Sequence, residues 1–152
     1  MTLQRFTVRW VLAICGAFGA SCDRERGEEI ALDWHPELDQ PIEQLEEVLA
    51  AQQQQQPMNY TSANLGFVLD AKLYLLFERY LASIRAKERP VALDEQRRWL
   101  DERRRATHEA YMEYEGGTLA SLVGNRAFIE ATRERVADLE QRLGSSGAAK
   151  SR

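Results

Sequence analysis

The chain has 152 residues, of which 44% are hydrophobic and 29% are charged, a composition typical of one globular domain with a targeting segment or tail. Its net charge of −4 argues against a nucleic-acid-binding protein, because such proteins usually carry a net basic field. The two cysteines, Cys15 and Cys22, both lie in or beside the apolar stretch near the start of the chain. The remainder therefore forms no disulfide, and its fold depends on packing.

The first 21 residues have the three-part layout of a secretory signal. Arg5 and Arg9 are basic, residues 10–18 (WVLAICGAF) are apolar, and small residues precede Cys22. The apolar run is shorter than the roughly 20 residues that span a bilayer. The stretch FGASC resembles a bacterial lipobox, with Gly19 in place of the usual leucine, and predicts a signal peptide over 1–21 with lipidation at Cys22. A plain signal peptide, an uncleaved anchor and a cytosolic chain are the alternatives.

Cleavage before Cys22 predicts an exported protein held by a lipid anchor on the periplasmic side of a membrane. The remaining chain then has 18 basic and 24 acidic residues, a net charge of −6. Asp23 resembles the inner-membrane retention signal of enteric lipoproteins, and both the inner and the outer membrane stay open. Residues 22–40 are mostly polar and lack a clear period, which indicates a tether.

Two stretches of helical periodicity follow the tether. The first covers 41–56 and ends in five glutamines, which either extend the helix until Pro57 or form a disordered hinge. The second covers 61–87, with Thr61 or Ser62 as its N-cap. Phe67 and other apolar residues widen the apolar band of this helix beyond a single stripe. A band of this width indicates that the helix is buried on more than one side.

Two further helices are predicted after the break at Pro90. The third covers 93–115 and ends at the glycine pair Gly116 and Gly117. The fourth covers 119–143, and Gly144 begins a tail over 144–152. Because no strand-like alternation occurs, the predicted fold is all-α, an antiparallel bundle of about four helices with short connections.

The stretch EQRRWLDERRR, residues 95–105, is the most distinctive of the third helix. Trp99 and Arg103 are four residues apart, so the guanidinium can lie over the indole ring. Gln96 lies one turn before Trp99 and can form a hydrogen bond to a neighbouring helix. We interpret this set as a structural clamp where helices cross; a partner-binding hot spot is the alternative, because Trp and Arg are common in hot spots.

No arrangement of residues indicates catalysis, a metal or a cofactor. His108 has no evident nucleophile beside it, and His35 lies in the tether. Neighbouring carboxylates such as Glu46 and Glu47 point apart on a helix, and phosphate-loop, CxxC and HExxH motifs do not occur. An enzyme, for instance a hydrolase, is therefore not expected.

Four tyrosines are predicted at the edge of the core: Tyr74, Tyr80, Tyr111 and Tyr114. The last two are close to the Gly116–Gly117 turn, so they have a second interpretation as an exposed aromatic corner.

Five motifs occur in a characteristic order: MN at 58–59, DAKLYLLF at 70–77, LDEQRRWLDERR at 93–104, GGTLASLV at 116–123 and TRERVADL at 132–139. Over residues 57–140 they resemble the lysozyme-inhibitor LprI-like N-terminal domain family, which suggests a domain over 57–143. The residues that match the family pattern are Asp70, Leu73, Gln96, Trp99, Arg103, Gly116, Gly117, Thr118, Thr132, Arg135 and Leu139. The cysteines usual in the family are replaced by Tyr60 or Thr61, by Thr107 and by about Ala127.

The resemblance implies a helical, exported lipoprotein that binds a protein partner, most concretely a lysozyme, and covers the lysozyme cleft without catalysing a reaction. Lysozymes of the common animal type are cationic, so an acidic inhibitor is steered towards them. We interpret the matched residues as architectural, and the inhibitory contacts stay unassigned. A structural or assembly module of the cell envelope without lysozyme contact is the alternative.

Overall fold

A computed structural model describes residues 36–115 and 117–150, with side chains as far as Ser145. This part of the chain consists of four α-helices and contains no strand, which confirms the all-α prediction. The helices are α1 (Asp39–Ala51), α2 (Gln55–Ser83), α3 (Arg89–Met112) and α4 (Thr118–Lys150). The predicted signal peptide, Cys22, the tether as far as residue 35 and Gly116 lie outside the described residues.

Within the described ranges, none of the four helices is long and apolar enough to cross a membrane.

Successive helices run in opposite directions, and α4 packs against both α2 and α3. Asn125 near the start of α4 bonds to Ser62 near the start of α2, so these two helices run in the same direction. Helix α1 packs against α2 and antiparallel to it, because Gln52 bonds to Thr61 while Lys72 bonds to Asp39. The result is an up-down-up-down bundle in which α4 holds α2 and α3 together.

Two apolar clusters fill the spaces between the helices. One contains Leu73, Leu76, Phe77, Val136 and Leu139, with Trp99 packed against it, and the other contains Ile42, Leu65, Leu69 and Ile129. Leu65 and Leu139 are almost completely buried, and each contributes about 1.5–3 kcal/mol to stability. Gly66 lets α2 and α4 approach, because a Cβ there would lie only 3.3 Å from Cδ1 of Phe128.

The glutamine run is neither a continuous helix nor a single hinge. Helix α1 ends at Ala51, and α2 already begins at Gln55. Pro57, which was expected to end the first helix, is the third residue of α2. It is tolerated there because the first amides of a helix have no intrahelical acceptor, so the missing N–H breaks no bond.

Three other boundary predictions are wrong. Thr61 and Ser62 are buried inside α2 and do not cap it, and the hydroxyl of Ser62 donates to the Asn59 carbonyl at 3.0 Å. Helix α3 begins at Arg89, because Pro90 occupies the first turn, where its fixed φ suits a helix. Helix α4 continues through Gly144 to Lys150, since one glycine weakens a helix without ending it.

The wide apolar band of α2 packs against both α1 and α4, but one face of the helix stays exposed. Tyr60, Phe67 and Tyr74 are 72%, 73% and 62% exposed, and their spacing of seven residues aligns them along the outer face. We call these three residues the α2 stripe. The prediction of burial on more than one side is therefore wrong for Phe67, and Tyr74 is not at the core edge; the half-buried Tyr80 does pack against the core.

Candidate protein-binding surface

Most residues that match the family pattern meet between the helices, whereas Gly117 and Thr118 are exposed at the α3–α4 turn. Arg103 is at the centre of the first group. Its Nη1 donates to Asp70 Oδ1 on α2 at 2.6 Å and to Thr132 Oγ1 on α4 at 2.9 Å. Its guanidinium lies 4.8 Å from the centre of the Trp99 ring, as the four-residue spacing predicts, and 4.1 Å from the centre of the Phe128 ring. One side chain of α3 therefore contacts both neighbouring helices.

Arg135 on α4 organises the second group. It is buried, and its Nε donates to Gln96 Oε1 on α3 at 3.1 Å, which is the cross-helix bond predicted for Gln96. Its Nη1 donates to Glu95 Oε1 at 3.1 Å and to Asp138 Oδ2 at 2.8 Å. The guanidinium also lies 5.8 Å from the centre of the Trp99 ring, so this indole is next to both arginines.

Arg142 extends this network along α4. It donates from Nη2 to Glu95 Oε1 at 2.8 Å and from Nε to Asp138 Oδ1 at 2.9 Å. These bonds raise the pKa of Arg142, and the bonds from Arg142 and then Arg135 lower the pKa of the Glu95 carboxyl. All these groups bond to one another between α3 and α4, so their polar atoms are engaged inside the bundle.

The end of the bundle formed by the α3–α4 turn carries a different set of side chains. Four large apolar residues there, Tyr111, Met112, Tyr114 and Leu119, are between 37% and 53% exposed. Glu109, Glu113 and Glu115 are exposed between them. We call these seven residues the aromatic tip. The exposed-corner interpretation of Tyr111 and Tyr114 is thus the correct one.

Backbone hydrogen bonds hold the turn of the aromatic tip. The amide of Glu115 donates to the Met112 carbonyl at 3.0 Å, and the amide of Gly117 donates to the Tyr114 carbonyl at 2.9 Å. Glu115 adopts a left-handed backbone with φ of 51°, a region that favours glycine. A left-handed residue was predicted at the glycine pair; among the described non-glycine residues it is Glu115, one position earlier. Helix α3 also ends earlier than predicted, at Met112.

The aromatic tip is packed firmly onto the bundle. Tyr111 lies against Gly124, because a Cβ added to Gly124 would be only 3.4 Å from the Tyr111 Cβ. Asn59 on α2 donates to the carbonyl of Thr118 at 3.3 Å, and Asn125 donates to the carbonyl of Asn59 at 3.2 Å. The ends of α2, α3 and α4 are thereby joined at one end of the molecule.

The segments of the described chain that form this end, residues 106–125 and the start of α2, carry no lysine or arginine. Residues 106–125 contain three glutamates and no lysine or arginine, and residues 36–71 contain six acidic residues and no lysine or arginine. The cations begin further along the helices, with Lys72 on α2 and with Arg105 and Arg126 on either side of the 106–125 segment. The aromatic tip is therefore an apolar surface with a negative rim.

A groove of about 520 Å³ runs from the aromatic tip between α3 and α4. Arg104, His108, Tyr111 and Phe128 are among its lining residues. Its charged lining residues are basic, and Arg104 also pairs with the exposed Asp101 at 2.9 Å. The Thr107 Oγ1 atom in the groove is buried and has no hydrogen-bond partner within the described residues. We call this feature the α3–α4 groove.

Among the described residues, the side chains that line the α3–α4 groove form no catalytic arrangement. His108 and Ser121 both line it, but no hydrogen bond joins them and no carboxylate bonds to His108 in the described ranges. The same part of the chain contains no group of three or more His, Cys, Asp or Glu side chains placed to hold a metal ion.

Sequence reasoning did not identify the aromatic tip as a unit. The signal was present in EAYMEYE, residues 109–115, where three carboxylates alternate with large apolar side chains and no cation occurs. Periodicity alone left the tyrosines at the core edge, because it does not reveal where a neighbouring helix ends.

A comparison with protein families finds one match, to the family described as lysozyme inhibitor LprI, over residues 31–139. No curated protein and no solved structure matches the chain. The match confirms the resemblance seen in the motifs, and it is wider than the 57–140 stretch that carries them, because it also takes in α1. It covers more than two thirds of the chain and, among the described residues, reaches from Pro36 to Leu139, so the chain belongs to the lysozyme inhibitor LprI family.

Proposed function

We propose that this protein is an exported lipoprotein of the cell envelope that binds a lysozyme and inhibits it without catalysing a reaction. The observation that carries the proposal is the family match over residues 31–139, which includes all of α1, α2 and α3 and most of α4. Because the match takes in parts of all four helices, the inhibitor property named for the family refers to the packed bundle and not to one helix.

Two properties of the chain support this function. Its net charge is −4, and −6 after cleavage before Cys22, so it attracts a cationic enzyme at long range. Its family-pattern residues, including Asp70, Gln96, Trp99 and Arg103, bond between helices, which supports an architectural role for them. A packed scaffold suits an inhibitor, since a preorganised surface loses little entropy on binding.

The test of inhibition uses the purified full-length chain in mild detergent, isolated peptidoglycan as substrate and an animal-type lysozyme. We expect the rate of peptidoglycan solubilisation to fall with increasing amounts of the chain, while an unrelated helical protein of similar negative charge leaves it unchanged. An unchanged rate at large molar excess of the chain contradicts the proposal.

The lipid anchor has its own test. Cells that express the chain are labelled with radioactive palmitate, and the labelled protein is expected to fractionate with membranes. The Cys22→Ala variant should incorporate no label. Equal labelling of the two proteins, or no labelling of either, contradicts lipidation at Cys22.

A structural or assembly role in the envelope is the second candidate function, and the α2 stripe favours it. Tyr60, Phe67 and Tyr74 form an exposed apolar line that no other helix of the described residues covers. If the chain fails to inhibit lysozyme, this surface is the first to examine for an envelope partner.

A further inference from the structure

We infer that the aromatic tip, together with the adjoining α3–α4 groove, is the surface that contacts lysozyme. This inference rests on the proposed function and adds the location of the contact. The partner chemistry is a cationic protein surface around a cleft that contains carboxylates. Lysozyme has this chemistry, because its animal forms are cationic and it cleaves glycosidic bonds with two carboxyl groups.

Charge complementarity is the first argument. The rim of the aromatic tip is formed by Glu109, Glu113 and Glu115, and no lysine or arginine lies between residues 106 and 125. Arg104 and His108 lie one to three turns back along α3, in the lining of the groove. A partner with cations around a carboxylate-containing cleft is complementary to these charges. The partner's outer cations would meet the glutamates of the tip, and the partner's carboxylates would meet the basic residues of the groove.

The apolar surface of the tip is the second argument. Binding free energy at protein interfaces is concentrated in a few aromatic or arginine side chains, with methionine also enriched. Tyr111, Met112 and Tyr114 are all partly exposed and lie between the carboxylates of the rim. This arrangement, apolar at the centre and charged at the edge, is the usual composition of a specific protein interface.

The direction of α1 fixes where the chain enters the bundle. Helix α1 begins beside Lys72 and ends beside Thr61, so its first residue is about 18 Å along the helix from the end that carries the tip.

Two pairs of variants test the inference, each with a matched control elsewhere on the bundle. Glu113→Lys with Glu115→Lys reverses the rim, and Glu102→Lys with Glu134→Lys makes the same change in net charge at exposed positions of α3 and α4. Met112→Ser with Tyr114→Ser removes the apolar centre, and Phe67→Ser with Tyr74→Ser removes two even more exposed apolar groups from the α2 stripe. All are made in the full-length chain, and far-UV circular dichroism verifies that each is folded.

The readouts are the concentration that half-inhibits an animal-type lysozyme and direct binding to the immobilised enzyme. We expect each tip pair to raise the half-inhibitory concentration at least about tenfold, and each control pair to change it less than about threefold. Wild-type inhibition should also be competitive with peptidoglycan, raising KM at constant kcat.

The outcomes separate the inference from the proposed function. If the wild type inhibits and the tip pairs inhibit equally well, or if a control pair loses as much as its tip pair, the location is wrong while lysozyme inhibition stands. If the wild type neither binds nor inhibits, the proposed function fails and the inference fails with it.

Discussion

The guanidinium of Arg103 lies between the rings of Trp99 and Phe128, 4.8 Å and 4.1 Å from their centres, while it bonds to Asp70. A side chain of α3 thereby joins α2 and α4 through a stacked cation and two hydrogen bonds. Arginine is suited to this position because its planar group stacks and donates at the same time, which lysine does not do.

We expect Arg103→Ala to lower the free energy of unfolding by about 2–3 kcal/mol, since it leaves Asp70 and Thr132 without their donor and removes the stacking contacts. Urea denaturation followed by far-UV circular dichroism measures this change. Arg105→Ala is the control, because Arg105 is exposed and should change stability by less than about 0.5 kcal/mol. Equal effects of the two substitutions contradict the assigned role of Arg103.

The register of α2 predicts opposite results for two apolar residues that are two positions apart. Leu69→Ala should cost about 2–5 kcal/mol because Leu69 is buried in the core, whereas Phe67→Ala should change stability by less than about 0.5 kcal/mol. The same urea titration measures both. A large loss for Phe67→Ala indicates that the α2 stripe is covered in solution, for example by a second copy of the chain.

Stability should fall in acid partly through Glu95. Its bonds from Arg142 and Arg135 lower the pKa of this carboxyl in the folded state, so its contribution is complete above the ordinary value of about 4.5. The contribution is lost as the pH falls through the lower folded-state pKa. Melting temperatures between about pH 6 and pH 3 should therefore decline less in Glu95→Gln than in the wild type.

Glu102→Gln is the control for the acid titration, because Glu102 is an exposed carboxylate on the same helix as Glu95. Its melting temperatures should follow those of the wild type. If Glu95→Gln also follows them, the network around Arg142 does not contribute to acid sensitivity.

Glu115→Gly should make the fold more stable and the inhibitor weaker. Glycine relieves the left-handed backbone at φ of 51°, a gain of about 1 kcal/mol, but it also removes a carboxylate from the rim of the tip. Urea titration and the lysozyme assay measure the two effects separately. An inhibitor that is both more stable and equally potent indicates that this carboxylate makes no contact with the enzyme.

Local patterns predicted the helices and the stacking of Arg103 on Trp99, because both depend on residues within a few turns of each other. The other partners of Arg103 are 33 and 29 residues away, on α2 and α4, and follow from how the helices are arranged. The division of the glutamine run was not predictable from helix propensity, since glutamine favours a helix equally on either side of the break. The exposure of Phe67 was missed because an apolar period shows which residues share a face and does not show whether a neighbour covers that face.

The central position of α4 has a consequence for how the chain reaches its folded state. Helices α2 and α3 pack chiefly on α4, and both apolar clusters are incomplete without residues of α4 such as Ile129 and Leu139. During synthesis the first three helices emerge before α4 exists, so α1 and α2 can contact each other while both clusters are still incomplete and the main packing surface of α3 is still missing. The complete bundle can therefore close only after α4 has been made, so the last helix of the chain determines when both clusters become buried.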